Sequence, residues 1–320
     1  MEVTETNSIE LDTAAETDET AETTEEVVET SEEVEAGESE DVENTSEESE
    51  GSEESDEAEK EEPVYPNYYR RKKKDEVKIE FNAGMLKIFA CVIMLIDHIA
   101  ASVIYYGFHF NDKATPPPDN IRTLYIFMRL TGRLAFPIFC FMIVEGYKHT
   151  RNVWKYLRNL LIFGLISEIP FDLAFNKKFF DFGYQNVYFT LALGLLMVIA
   201  FDKMTQGNFL KAGIKRQAAA IILAAVPVVL GFLLQTDYGG LGVLLIFTYY
   251  LFGKNEMLGV VSNVATLTFI NPTELFACFD FYLIKKYNGE KGISLKYFFY
   301  LFYPVHLLIL VVIRYLVFHI

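Results

Sequence analysis

From residue 85 onward the chain is a series of apolar runs separated by short polar breaks. The runs lie near 85–106, 122–147, 155–175, 187–202, 216–234, 239–252, 255–271, 273–287 and 297–318. Several approach the roughly 20 residues with which a helix crosses about 30 Å of hydrocarbon. The pattern predicts an all-α fold, a polytopic integral membrane bundle of about nine transmembrane helices. The sixth to eighth runs are short or closely spaced, so eight to ten spans fit the same pattern.

The first 62 residues are of a different kind. They hold 28 acidic residues and one basic one, a net −27, which leaves +11 for the rest of a chain whose total is −16. They contain no aromatic residue and consist largely of Glu, Ser and Thr. Such a segment buries too little apolar area to offset its ordering entropy, so residues 1–62 are expected to be a disordered acidic tail. Residues 63–84 form a basic juxtamembrane linker, Pro/Tyr-rich at 63–69 and all Arg and Lys at 70–74. A basic block beside a span reads as a topology anchor rather than a nucleic-acid site. The domain proper is 85–320.

Charge sorts the loops. Alternate breaks hold Lys148, Arg151, Lys155 and Arg158, then Lys203, Lys211, Lys215 and Arg216, then Lys285, Lys286, Lys291 and Lys296. The others hold Lys113, Arg122, Lys177 and Lys178. This positive-inside bias predicts a multi-pass protein of the cell membrane with its N-terminus in the cytoplasm.

Ionisable residues within the apolar runs are the candidate chemistry, because such groups in hydrocarbon cost several kcal/mol unless paired or wetted. Asp97 and His98 lie in the first run, Arg129 and Arg133 in the second, Glu168 and Asp172 in the third. At 1.5 Å per residue, His98, Arg129 and Glu168 share a level about 20 Å from the basic side. Arg129 and Arg133 are four apart and share a helix face, which suits an oxyanion, phosphate or carboxylate. Glu168 and Asp172, also four apart, are the expected counter-charges. Asp97 and His98 point about 100° apart, so one can pair with an arginine while the other faces a site. Pro137 cannot donate to the Arg133 carbonyl, and a bend is expected there. His306 falls near the midplane of the last run and reads first as a hydrogen-bonded core histidine.

A structural ion-pair network is the plainer reading of the same charges. Cys91, Cys140 and Cys278 lie in apolar runs without ligand spacing, so neither a disulfide nor a metal is expected.

The runs LKIFACVIMLIDHIA, RLTGRLAFPIFCFMIVEGYKHT, LLIFGLISEIPFDLAF and QNVYFTLALGLL, with KYFFYLFYPVHLLIL near the end, resemble the TraX family over residues 83–316. That family is named for a conjugative-transfer protein that acetylates pilin. It resembles the integral-membrane acyltransferases, which carry a histidine in an early span and an arginine pair in a following one. His98 matches the first; Arg129 and Arg133 match the second loosely, at a spacing of four rather than three. The resemblance implies acetyl-CoA as donor, an amine or hydroxyl acceptor such as a pilin or envelope component, and contact with the lipid bilayer. It makes His98 a catalytic base, with Arg129 and Arg133 also holding the donor and Asp97, Glu168 and Asp172 balancing charge. A membrane transporter or proton-coupled carrier, and a non-catalytic conjugation or secretion assembly factor, are the alternatives.

Overall fold

The computed structural model describes residues 80–320 apart from 111, 113, 254, 255 and 294. The acidic tail, and the linker up to residue 79, lie outside the described residues.

Among those described the chain is helical and has no strand. Its backbone pairings across loops are isolated bridges, Phe81 with Tyr287 and Gln185 with Thr236. The first helix, α1, runs Ala83–Gly107 and is held at its start by Asn82, whose Oδ1 accepts the Met85 N–H at 2.9 Å. It is not α-helical throughout. A π-helical stretch, Ile99–Ile104, begins directly after His98. Such inserts cost a well-formed hydrogen bond and occur often beside functional residues.

Two helices, α2 (Asp119–Gly132) and α3 (Ala135–His149), together make one 31-residue apolar stretch. The break between them falls at Arg133 and Leu134, four residues before Pro137, as the missing proline donor requires. The remaining elements are α4 (Val153–Phe175), α5 (Val187–Thr205), α6 (Ile214–Leu233), α7 (Gly239–Phe252) and α8 (Glu256–Ile270). A 3-10 helix, Pro272–Phe279, runs into the short α9 (Asp280–Lys285), and α10 (Lys296–Phe318) ends the fold.

Five of these stretches are long and apolar enough to cross a membrane: α1, α2 with α3, α5, α6 and α10. Helices α7 and α8 are apolar but have only 14 and 15 residues. The segments follow the nine predicted runs in order. Outward-facing positions on α6 and α10 are large and apolar, including Ile222 and Leu316, both 65% exposed. Such stripes suit a lipid surface.

The core runs through the middle of the bundle. Leu195 and Ile199 of α5 meet Leu245 and Ile246 of α7, and Ile138 of α3, Leu86 of α1 and Leu307 of α10 are equally sealed. Close helix approach needs small residues. A Cβ on Gly194 would lie 2.2 Å from Ile246 Cδ1, and one on Gly132 would lie 2.2 Å from Asp97 Oδ1.

Candidate functional site

Two polar groups occupy the interior where α1, α2, α4 and α10 meet. The first is built on histidines. Helix α10 contains Pro304, which cannot donate to the Tyr300 carbonyl. That carbonyl is instead satisfied by the Tyr188 hydroxyl of α5 at 3.0 Å. One turn on, His306 Nδ1 lies 2.6 Å from the Phe302 carbonyl oxygen. A carbonyl only accepts, so Nδ1 carries the hydrogen and, in the neutral ring, Nε2 is the acceptor. His98 Nδ1 lies 2.7 Å from that Nε2 and is therefore the donor. The two rings are within 8° of parallel with centroids 5.0 Å apart, as coplanar rings joined nitrogen to nitrogen should be. Both tautomers are then fixed, and the His98 Nε2 lone pair is left as an acceptor. Phe175 and Tyr303 set their ring edges against His98.

The second group is ionic. Arg129 Nη1 donates to Asp97 Oδ2 at 2.5 Å, and Arg133 Nη1 donates to Glu274 Oε1 at 2.6 Å. The arginine side chains stay about a quarter exposed, at 27% and 23%, whereas Glu274 is 1% exposed. Each guanidinium thus spends one nitrogen on a carboxylate and keeps others for a ligand. Gly132 lets α2 approach α1 closely enough for the Asp97 pair to form. Tyr238, in the left-handed region at φ 63°, stacks on Phe136 at 3.6 Å and reaches Arg133 with its hydroxyl. A non-glycine residue there stores strain, and such residues gather at functional sites. Beside it, the Asp237 carboxylate accepts from the Tyr184 hydroxyl at 2.6 Å. Burial pushes the Asp237 carboxyl up from the usual range, against the Tyr184 hydrogen bond and the two arginines, which pull it down.

The structure corrects one expected pairing. Glu168 and Asp172 do not face the arginines. Glu168 Oε1 takes Asn186 N at 2.9 Å and Asn186 Nδ2 at 2.6 Å, fixing the start of α5. Asp172 takes Asp181 N at 2.7 Å and Asn176 Nδ2 at 3.1 Å, fixing the loop that leads there. The counter-charges are Asp97 and Glu274. Asp97 and His98 do diverge, one toward α2 and one toward α10.

Glu274 and Arg314 escape a reading of the chain alone, and His306, expected as a hydrogen-bonded core histidine, is one, though its role beside His98 is not legible there. Glu274 sits at the head of a run, NPTELFACFD, where an acid resembles a span boundary. His306 acquires meaning only from His98, 208 residues away. Arg314 is buried in the last span and donates to the Ala174 and Leu173 carbonyls at 2.8 and 2.7 Å, closing the C-terminal end of α4. An arginine inside a 22-residue apolar span was the available signal.

Comparison with known proteins gives this arrangement a family. A probable fimbrial assembly protein of Dichelobacter nodosus, FimC of serogroup H1, is 30% identical over 262 residues, which is 72% of this chain and 95% of that protein. No solved structure matches the chain. The family described as TraX protein matches residues 82–314, which take in every element from α1 to Arg314 of α10, and the chain belongs to that family.

Proposed function

We propose that this chain is a membrane acetyltransferase of the integral-membrane acyltransferase group, moving an acetyl group from acetyl-CoA to an amine or hydroxyl on a pilus, fimbrial or other envelope component. The observation that carries this reading is the chain of hydrogen bonds from His98 through His306 to the Phe302 carbonyl. It holds one imidazole in the tautomer a general base needs, with a neutral ring where a Ser–His–Asp site has its carboxylate.

His98 Nε2 takes the proton of the acceptor N–H or O–H as the heteroatom attacks the thioester carbonyl carbon. The tetrahedral intermediate collapses, the C–S bond breaks, and the departing thiolate takes the proton back from Nε2. Arg129 and Arg133 face the developing oxyanion or a phosphate of the donor. Asp97 and Glu274 hold the guanidiniums in place, while Glu168 and Asp172 shape the adjoining loop. In this reading the basic loops and the N-terminus face the cytoplasm, the side from which acetyl-CoA arrives.

The test is transfer of radiolabelled acetyl from acetyl-CoA to an amine-bearing peptide by purified protein in nanodiscs. His98→Ala abolishes transfer while the thermal melt stays intact. Near-wild-type transfer by that variant removes His98 from the chemistry. A non-catalytic assembly role is the second reading, favoured by the likeness to the probable fimbrial assembly protein of Dichelobacter nodosus. Wild-type protein inert toward both peptide and hydroxyl acceptors supports it.

A further inference from the structure

A line of buried acids runs on from Glu274, and two of its members, Glu145 and Asp280, have no place in that chemistry. Glu145, Asp280 and Glu274 are 3%, 0% and 1% exposed. They lie along two segments that run in the same direction, α3 and the 3-10 helix with α9. Both begin at the arginine pair and end at the basic loops.

The two segments meet in three rungs. At the first, Arg133 pairs with Glu274. At the second, Cys140 and the Tyr249 hydroxyl of α7 lie in the field of Asp280. At the third, Glu145 faces Tyr287 and holds Lys148 at 2.8 Å and His149 at 3.5 Å. Phe141 touches both Tyr249 and Tyr287, so the second and third rungs adjoin.

The 3-10 geometry explains the stripe. At three residues per turn, Glu274, Ala277 and Asp280 stack on one face, with side chains eclipsed and a rise of about 2 Å per residue. Ala277, fully buried, leaves room between the two carboxyls. Along that face polar atoms lack protein partners: both Asp280 oxygens, Glu274 Oε2 and the Tyr249 hydroxyl. Buried polar groups are almost always satisfied, by water where protein is out of reach. Among the described residues no cation is paired with Asp280, so its carboxyl has nothing to offset a negative charge.

We propose that Glu145, Asp280 and Glu274 form a proton path through the bundle, from its basic end to the arginine pair, with Asp280 held as a neutral acid midway. Chains of membrane-embedded acids serve this purpose in proton-moving proteins. Bridging water completes the path at the unpartnered oxygens. The proton passes as a hydron between carboxyl and water, with no other bond made or broken. The proposal does not rest on acetyl transfer, and it concerns resting protein.

Infrared spectroscopy of the full chain in lipid, without acetyl-CoA, tests it. The C=O stretch of a protonated carboxyl is expected in wild type and missing in Asp280→Asn. Asp280→Glu, which keeps the acid, moves the band and covers the case in which the asparagine variant fails to fold. Transfer to heavy water shifts the wild-type band promptly, and Glu145→Gln slows that shift by on the order of tenfold. No band lost from Asp280→Asn and none moved in Asp280→Glu overturns the proposal, because the group is then ionised. A band that never shifts in heavy water, or shifts equally fast in Glu145→Gln, also overturns it, because Asp280 is then a sealed acid.

Discussion

His306 touches no reacting atom in the proposed chemistry; it acts through the tautomer it imposes on His98. Replacing it by phenylalanine keeps a ring in the space and deletes the acceptor. Acetyl transfer is then expected to fall by about 10²-fold or more, with kcat carrying the loss and KM for acetyl-CoA unchanged. His306→Gln places an amide oxygen near the lost Nε2 and recovers part of the rate. Near-wild-type transfer by His306→Phe would mean that His306 is there for packing. The arginines obey a different rule. Glu274 is nearly sealed and Arg133 only partly so, so the acid costs more to strand than the base. Arg133→Gln, which strands the acid, is expected to lower stability by about 1–3 kcal/mol, more than Glu274→Gln does. Adding Glu274→Gln to Arg133→Gln returns some of the loss, and melting of the three variants reads the coupling.

Among elements, the approach of α1 to α2 is the most sensitive. Gly132→Ala drives a methyl group into the Asp97 carboxyl and separates it from Arg129. Transfer and melting temperature should drop together. Gly213→Ala at the start of α6, where nothing lies within 4 Å, is the control and costs no more than about 1 kcal/mol. The long helices were legible because bilayer thickness imposes a length on them, the short α7 and α8 only as apolar runs between polar breaks, and the α2–α3 break because Pro137 dictates it. The pairings were not. Arg133 meets Glu274 across 141 residues, and Glu168 turns to a neighbouring asparagine instead. A one-dimensional register places charges at a depth but does not say which way each faces round its helix. The 3-10 turn at 272–279 was hidden for a related reason, since nothing in its composition separates it from a short α-helix.

The whole bundle is closed by Arg314, which ties α10 to the last carbonyls of α4 and lies over the Tyr106 ring of α1. Arg314→Leu keeps the apolar stem and strips the Leu173 carbonyl of its donor, while Ser102 Oγ still donates to the Ala174 carbonyl at 3.0 Å, so the expected cost is about 1–3 kcal/mol in thermal stability. Orientation is tested at the loops. With the basic end inside the cell, a cysteine at Phe180 is labelled by an impermeant maleimide in intact cells, and one at Gln206 only after permeabilisation. Cys91 and Cys140 are buried and add little background.

The shortness of α7 and α8 bears on the bilayer itself. Helices of 14 and 15 residues reach about 21 and 22 Å, well short of the roughly 30 Å of a typical acyl layer. Helix α7 lies mostly in the core, whereas α8 keeps Val261 and Phe269 exposed, so a bilayer bordering α8 must thin or be met by its flanking residues. Thinning there would fall where α8 turns into the segment bearing Glu274, next to the guanidiniums. A large acceptor anchored in the same membrane would find there its shortest descent to the charged interior.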